Sequence, residues 1–338
     1  MPALRRSYRE DARRGTRYVV LPELSAVTPT LPKGVLVGHW TDRDAWTGCS
    51  VFLLPAGSVA SCEVRGGAPG TIGTDLLRPE SAGPGANAVL FTGGSAFGLA
   101  AAEGVSRWLS ERGIGFETPA ARVPLVGGAV VYDLGLGESS VRPSAEAGYA
   151  ACDAASADFQ RGSVGAGTGC TVGKLLGPDC WTKGGLGAAA APLSGGGVVA
   201  AVAAVNAVGD VLAEDGSMLA GIRRGDGFLS SAQALASGVA IRRPWREATT
   251  LVCVVTDVAL TKTEAWMCSR AANAGVARAI SPVWTSFDGD TVFCASTCEI
   301  QGDPLAVSLT AADVVAEAIR NGVLVATGAP GCPAVSEL

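Results

Sequence analysis

The stretch Ala248-Thr249-Thr250-Leu251-Val252-Cys253-Val254-Val255-Thr256-Asp257 constrains this chain more than any other. A polar segment gives way abruptly to an apolar strand. About forty residues on, a second strand starts from Asp288-Gly289-Asp290. A hydroxyl at the head of one buried strand and paired carboxylates at the head of another can converge on one point.

That constellation suits a hydroxyl nucleophile, and its position suits one freed by cutting the chain at its own amide. The sequence holds one histidine, so a Ser-His-Asp relay has only His39 to draw on. A nucleophile that uses its own α-amine as base needs no histidine.

The 338 residues allow one large domain or two small ones. With 48% hydrophobic and 17% charged residues, the core is large and the surface thinly charged. The 46 glycines are spread along the chain, which argues for tight turns and close backbone packing rather than a linker or a collagen-like period. A net charge of -5 gives no reason to expect nucleic acid or an anionic membrane as partner.

None of the ten cysteines forms a C-x-x-C pair, and a single histidine cannot supply a mixed zinc site, so no metal or other cofactor is expected. Cys253 and Cys294 lie in apolar runs, where a free thiol behaves as a small hydrophobe. We read the set as reduced thiols of a cytoplasmic protein. The basic start, Arg5 to Arg17, is not followed by an apolar h-region, and no apolar run is long enough to span a membrane.

The first thirty or so residues read as an irregular arm, residues 1–33, and from Gly34 strands and helices alternate as one domain, 34–338. Strands are expected at Val35–His39, Cys49–Leu54, Val59–Val64, Asn87–Thr92, Ala129–Tyr132, Val198–Val205 ending at Asn206, Thr249 onward and Asp290–Ala295. A helix from about Ser95 to Arg112 places Phe97, Ala101, Val105 and Trp108 on one face, with Gly113 at the C′ position. Ser144 caps a helix to about Ala155. Thr261-Lys262-Thr263-Glu264 opens another as a capping box. Thr310, with Asp313, opens the last, to about Ala326. Residues 214–248 read as an exposed polar excursion. The pattern suits layered sheets faced by helices more than a doubly wound fold.

Gly93-Gly94-Ser95 lacks the spacing of a P-loop or a dinucleotide fingerprint, so it reads as a tight turn or as backbone donors lining a pocket. Lys174 follows the glycine run Gly165-Ala166-Gly167-Thr168-Gly169. It is either a surface lysine or a group that depresses the pKa of a neighbouring amine or hydroxyl. Asn206 is either a turn residue or an amide donor to an oxyanion. Tyr132 is a half-buried core tyrosine or a hydroxyl donor. His39 reads as structural.

Taken together, these segments resemble the L-aminopeptidase/D-esterase family, which also contains β-peptidyl aminopeptidases and nylon-oligomer hydrolases. The match is carried by Val37-Gly38-His39, Arg65-Gly66-Gly67-Ala68-Pro69-Gly70-Thr71, Gly93-Gly94-Ser95-Ala96-Phe97-Gly98-Leu99, Val130-Val131-Tyr132-Asp133, Val164 to Gly169, Val205-Asn206-Ala207-Val208-Gly209-Asp210, Thr249 to Asp257 and Phe287-Asp288-Gly289-Asp290-Thr291. Ordered segments spanning about residues 34 to 328 are specific where one glycine motif is not.

The resemblance implies an α+β fold, a four-layer αββα sandwich similar to N-terminal-nucleophile hydrolases and ornithine acetyltransferases. It implies a precursor that cuts itself before Thr249, giving residues 1–248 and 249–338. Tyr132, Lys174, Asn206, Asp288 and Asp290 match the supporting residues. It further implies action on small peptides, amides or esters, and a homo-oligomer, a tetramer of processed pairs. Where the family usually has Gly or Asn before the scissile bond, this chain has Ala248, which is small enough for a strained turn. The competing readings are a self-processing acyltransferase of the ornithine acetyltransferase type and an unprocessed, non-catalytic homologue.

Overall fold

The computed structural model describes residues 29–83, 85–238 and 248–338, together with the backbone of a two-stranded ribbon, Tyr8–Asp11 paired with Thr16–Val19. Most of the arm expected over residues 1–33 lies outside the described residues, as does the end of the polar excursion, 239–247.

Two five-stranded sheets form the centre. The first contains β1 (Leu36–Asp42), β2 (Thr47–Leu53), β4 (Thr71–Ile72), β5 (Ala88–Thr92) and β6 (Val126–Val130), in the order β1-β2-β5-β6-β4. The second contains β3 (Val59–Val64), β7 (Leu186–Pro192), β8 (Val198–Asn206), β9 (Thr249–Val258) and β10 (Thr291–Ile300), in the order β7-β8-β9-β10-β3. Helices α1 (Ala101–Glu111) and α2 (Ala145–Asp153) pack together on the first sheet. Helices α3 (Lys262–Ala279) and α4 (Pro304–Leu324) pack together on the second. The result is the αββα layering that the resemblance implies.

Side-chain alternation makes the layers. In β9, Leu251, Cys253 and Val255 join the cluster between the sheets, while Val252 and Val254 join the cluster beneath α3 and α4. In β8, Ala200, Val202 and Ala204 point between the sheets, and Val199, Ala201, Ala203 and Val205 point to the helices. A strand with a period of two and both faces buried reads as a continuous apolar run. Phe52 and Phe91 of the first sheet stack edge-on at 4.9 Å, and Phe91 meets Phe293 of the second at 6.0 Å. Truncating a buried phenylalanine of this kind costs about 3–5 kcal/mol.

Three expectations need correction. The segment Ser95–Ala100 is a 3₁₀ turn, and α-helix begins only at Ala101. Its different winding leaves Phe97 60% exposed, beneath the Arg142 guanidinium at 3.7 Å, rather than on the buried face of α1. The last helix starts at Pro304, not Thr310, because Asp303 accepts the N–H of Leu305 at 2.9 Å and proline fits the first helical position. The excursion after Ala213 is not irregular throughout: it carries strands Met218–Ala220, Ile222–Arg224 and Gly227–Leu229 and a short helix, Ser231–Ala236. The buried Asp210 carboxylate fastens it by accepting both the N–H and the hydroxyl of Ser231 at 2.6 Å. The Thr261 capping box and the Ser144 cap are as expected.

Candidate active site

Thr249 is the first residue of β9 and Asn206 the last of β8, and the antiparallel register sets them opposite each other. By the alternation of their strands, both lie on the face between the sheets, at its edge. They are almost fully buried, Thr249 at 4% exposure and Asn206 at 0%.

The orientation of the Asn206 amide follows from its partners. Its Oδ1 accepts from Lys174 Nζ at 2.7 Å and from the Thr171 N–H at 3.0 Å. Its Nδ2 donates to the Tyr132 carbonyl at 3.0 Å. Two donors on Oδ1 leave no room for the flipped amide. Lys174 is 3% exposed, not a surface lysine. Burial lowers its pKa to about 8, against the raising influence of Cys170, Asp288 and Asp133. It is held by the turn after the glycine run, where Lys174 N donates to the Val208 carbonyl at 3.0 Å.

The carboxylate pair enters from the head of β10. Asp288 Oδ2 accepts the N–H and hydroxyl of Thr285 at 2.8 and 2.7 Å, and its Oδ1 lies 3.5 Å from the Val208 N–H. Asp290 Oδ1 accepts the Thr250 N–H at 2.6 Å. Burial and the neighbouring Asp288 push the Asp290 pKa up to about 8, and burial also raises Asp288. Burial side by side thus disfavours a doubly charged pair and favours one shared proton. The loop Arg65–Ala68 clamps this segment through its backbone: the N–H groups of Arg65 and Gly66 donate to the Asp290 carbonyl, and that of Ala68 to the Asp288 carbonyl. Gly66 is required there, because a Cβ would lie 2.1 Å from the Asp288 oxygen.

The peptide before Thr249 lies in the middle of these groups. Ala248 makes an isolated parallel bridge with Asp288. Its N–H donates to the Phe287 carbonyl at 3.1 Å, and its carbonyl accepts the Gly289 N–H at 2.8 Å. The Thr249 hydroxyl donates to that same carbonyl at 2.5 Å. Sequence reading named Asn206 as the oxyanion donor and missed Gly289, whose contribution is a backbone N–H that no side-chain pattern announces.

Tyr132 joins the site through its carbonyl. Next to it, Asp133 was also missed. Its buried carboxylate accepts the Thr47 hydroxyl and the Gly94 N–H, both at 2.7 Å, and burial raises its pKa to about 6. Gly93-Gly94 is thus a tight turn whose donor is already engaged by an internal carboxylate. Lys183 is a further buried cation: its Nζ donates to the carbonyls of Gly167, Cys170 and Gly184, bracing the glycine run beside Lys174. His39 stands away from these groups. It bonds Ser50 Oγ at 2.9 Å and donates through Nε2 to the Gln160 carbonyl at 3.1 Å, and burial lowers its pKa to about 4. It is a neutral structural histidine. All ten cysteines are free, and no helix among the described residues is long and apolar enough to cross a membrane.

Two facing sheets between helix pairs, with a hydroxyl residue heading a central strand, define an Ntn-hydrolase-type sandwich. The L-aminopeptidase D-Ala-esterase/amidase of Ochrobactrum anthropi, described as a variant of the Ntn hydrolase fold, superposes with a TM-score of 0.66 at 20% identity, over 90% of this chain and 91% of that one. A β-aminopeptidase of Burkholderia sp. gives a TM-score of 0.64 at 22% identity, over 90% and 88%. The chain belongs to peptidase family S58, whose model matches residues 32–334. An uncharacterized aminopeptidase of Mycobacterium tuberculosis is 37% identical over 338 residues, covering 90% of this chain and 96% of the relative. A 6-aminohexanoate-oligomer endohydrolase of Agromyces sp. is 32% identical over 280 residues, covering 79% and 74%.

Proposed function

We propose that this hydrolase of family S58 cuts itself between Ala248 and Thr249, and then uses Thr249 as an N-terminal nucleophile to release N-terminal residues from small peptides, amides or esters. The observation that carries the reading is the crowding of the Ala248 carbonyl, whose oxygen takes hydrogen bonds from both the Thr249 hydroxyl and the Gly289 N–H.

In the precursor, Thr249 Oγ1 attacks the Ala248 carbonyl carbon and passes its proton to the Lys174–Asp288–Asp290 group. Negative charge collects on the Ala248 oxygen, where the Gly289 N–H is already placed. The C–N bond then breaks, the nitrogen takes a proton, and an ester joins Ala248 to Thr249 Oγ1. Water hydrolyses that ester, releasing the Ala248 carboxylate and the Thr249 hydroxyl; the α-amine of Thr249, already free once the C–N bond broke, has a reference pKa of about 7.7–8.0. Lys174 nearby lowers it, raising the neutral fraction able to accept the hydroxyl proton in each later turnover. Asn206 holds Lys174 in place and assists at the oxyanion. The Tyr132 carbonyl fixes the Asn206 amide while its hydroxyl helps hold the substrate carbonyl or leaving group, and the Asp288/Asp290 pair orients the amine.

N-terminal sequencing of purified protein tests the cut. Two fragments, the smaller beginning Thr249-Thr250-Leu251, are expected, and a single intact and active chain overturns the proposal.

Two substitutions probe the donors. Asn206→Ala should lower kcat on a small aminoacyl anilide by about 10²–10³-fold, the effect of losing one oxyanion-type donor. Unchanged turnover removes Asn206 from the machinery. In Gly289→Ala the new Cβ falls 2.8 Å from Thr249 Oγ1 and 3.1 Å from the Ala68 carbonyl oxygen. Self-cleavage followed on a denaturing gel should slow at least about tenfold while circular dichroism stays native, since misplacement of reacting atoms by about 1 Å costs up to about 10²-fold.

A further inference from the structure

The Cys170–Thr171 peptide is gripped at both ends. Its carbonyl oxygen accepts Lys183 Nζ and the Gly184 N–H, both at 2.9 Å. Its N–H donates to Asn206 Oδ1 at 3.0 Å. The peptide is planar, so a grip on the oxygen sets the direction of the N–H on the far side. Lys183 ends the short strand Thr182–Lys183, which pairs antiparallel with Thr171–Val172. Its main-chain N–H donates to the Pro333 carbonyl at 2.9 Å. Its side chain is fully buried, and its other two acceptors are the carbonyls of Gly167 and Gly184, at 3.0 and 2.7 Å. Three carbonyls engage all three N–H groups of an ammonium. Burial lowers the Lys183 pKa to about 8. A cation is thus held inside among neutral acceptors, where an apolar side chain of the same length would avoid the desolvation.

We propose that Lys183 is a positioning residue for Asn206, acting through the Cys170–Thr171 peptide to hold the Asn206 amide in one orientation throughout the proton transfers at Lys174. This rests on the self-cleavage reading above. The two donors on Asn206 Oδ1 differ in kind. Lys174 exchanges a proton during the reaction, and a neutral lysine carries a lone pair besides its N–H groups, so its hold on Oδ1 is not constant. The Thr171 N–H is a donor at every stage. It keeps Oδ1 turned toward Lys174 and Nδ2 toward the Tyr132 carbonyl. A positive charge on the oxygen of the same peptide polarises it and strengthens that N–H as a donor. The hydrogen-bond partners of Lys183 include no reacting group, so its effect reaches the chemistry through Asn206. It therefore falls on turnover rather than on substrate binding.

The test is a double-mutant cycle of Lys183→Met with Asn206→Ala, read as kcat and KM on alanyl p-nitroanilide, with kcat referred to the cleaved fraction on a denaturing gel. Lys183→Met alone should lower kcat about 10–100-fold and leave KM within about twofold, the cost of a working group displaced by up to about 1 Å. In the Asn206→Ala background the same substitution should change kcat by no more than about twofold, because the group it positions is gone. Lys183→Gln, which keeps N–H donors without the charge, should recover part of kcat. Losses that multiply in the double variant, or a KM that rises at unchanged kcat, overturn the proposal and leave Lys183 a brace for the loop. So does a Lys183→Met chain that folds yet stays uncut where Asn206→Ala is cut. If Lys183→Met fails to fold by circular dichroism, the cycle is run with Lys183→Gln, and failure of both to fold makes the residue structural and ends the proposal. In all these cases a wild-type protein that is active and cut before Thr249 leaves the nucleophile standing. A wild-type chain that is uncut or inactive overturns the underlying function and this proposal with it.

Discussion

Thr249→Ala should leave one full-length band on a denaturing gel and no hydrolysis of any aminoacyl anilide. The substitution removes the only hydroxyl donating to the Ala248 carbonyl among the described contacts, and with it both the internal acyl acceptor and the later nucleophile. Losses of about 10⁶-fold accompany removal of a covalent nucleophile elsewhere, which is below detection for small anilides. The fold should survive, because Thr249 sits at the edge of the layer between the sheets and its backbone, not its side chain, carries the pairing to Asn206. Two fragments from this variant, cut at the same bond, would transfer the nucleophile's role to another group and end the assignment. Thr249→Ser is the informative companion: it keeps the hydroxyl, and cleavage should persist.

Lys174→Met gives the second large effect, with an opposite sign on stability. Self-cleavage and turnover should fall by about 10²–10⁴-fold, the range for a positioned proton-transfer group. The unfolding midpoint at pH 7 should not fall. Burial lowers the Lys174 pKa from 10.5 to about 8, so keeping its ammonium inside the protein costs on the order of 3 kcal/mol at neutral pH. Methionine of similar length avoids that cost, and Asn206 Oδ1 retains the Thr171 N–H. The sign follows from the direction of the shift. The penalty is fully present below about pH 8, shrinks as pH rises, and vanishes near 10.5, where the unfolded lysine is also neutral. Denaturant melts at pH 6.5 and pH 10 should therefore show the variant's advantage only at the lower pH. In the wild type, self-cleavage should speed up as pH rises through about 8, as Lys174 loses its proton. A flat pH profile removes Lys174 as the base.

The sheets were legible because their strands are buried on both faces: β8 and β9 read as unbroken apolar runs, and β3 was placed to the residue. The start of α4 was legible too, in Asp303-Pro304, but the Thr310–Asp313 pair offered a competing cap inside the helix. Phe97 was misplaced because the 3₁₀ winding of Ser95–Ala100 breaks the period that a helix pattern assumes. At the site, Thr249, Asn206, Lys174, Asp288 and Asp290 were named from sequence, and the structure brings them together through two strand ends, a glycine-run turn and a loop. What stayed hidden acts through the backbone or against base rates. Gly289 contributes an N–H, and Tyr132, also named from sequence but for its hydroxyl, contributes its carbonyl to the Asn206 amide. Lys183 is a fully buried lysine of a type almost always exposed, and of its three carbonyl partners Gly167 lies in the glycine run, Cys170 follows it and Gly184 is its own neighbour, a set that no recognisable motif announces.

The strand order of the second sheet has a consequence for an enzyme cut at Ala248–Thr249. Its two strands from beyond the cut, β9 and β10, lie between β8 and β3, which come from before it. The pieces are interleaved, so neither can leave without opening the sheet on both sides, and the nicked molecule should melt as one body. Reassembly is another matter. An uncut chain folds at a rate independent of its concentration, but separated pieces must first collide, so recovery after denaturation becomes second order and fails on dilution. Cutting itself would make folding a one-way passage.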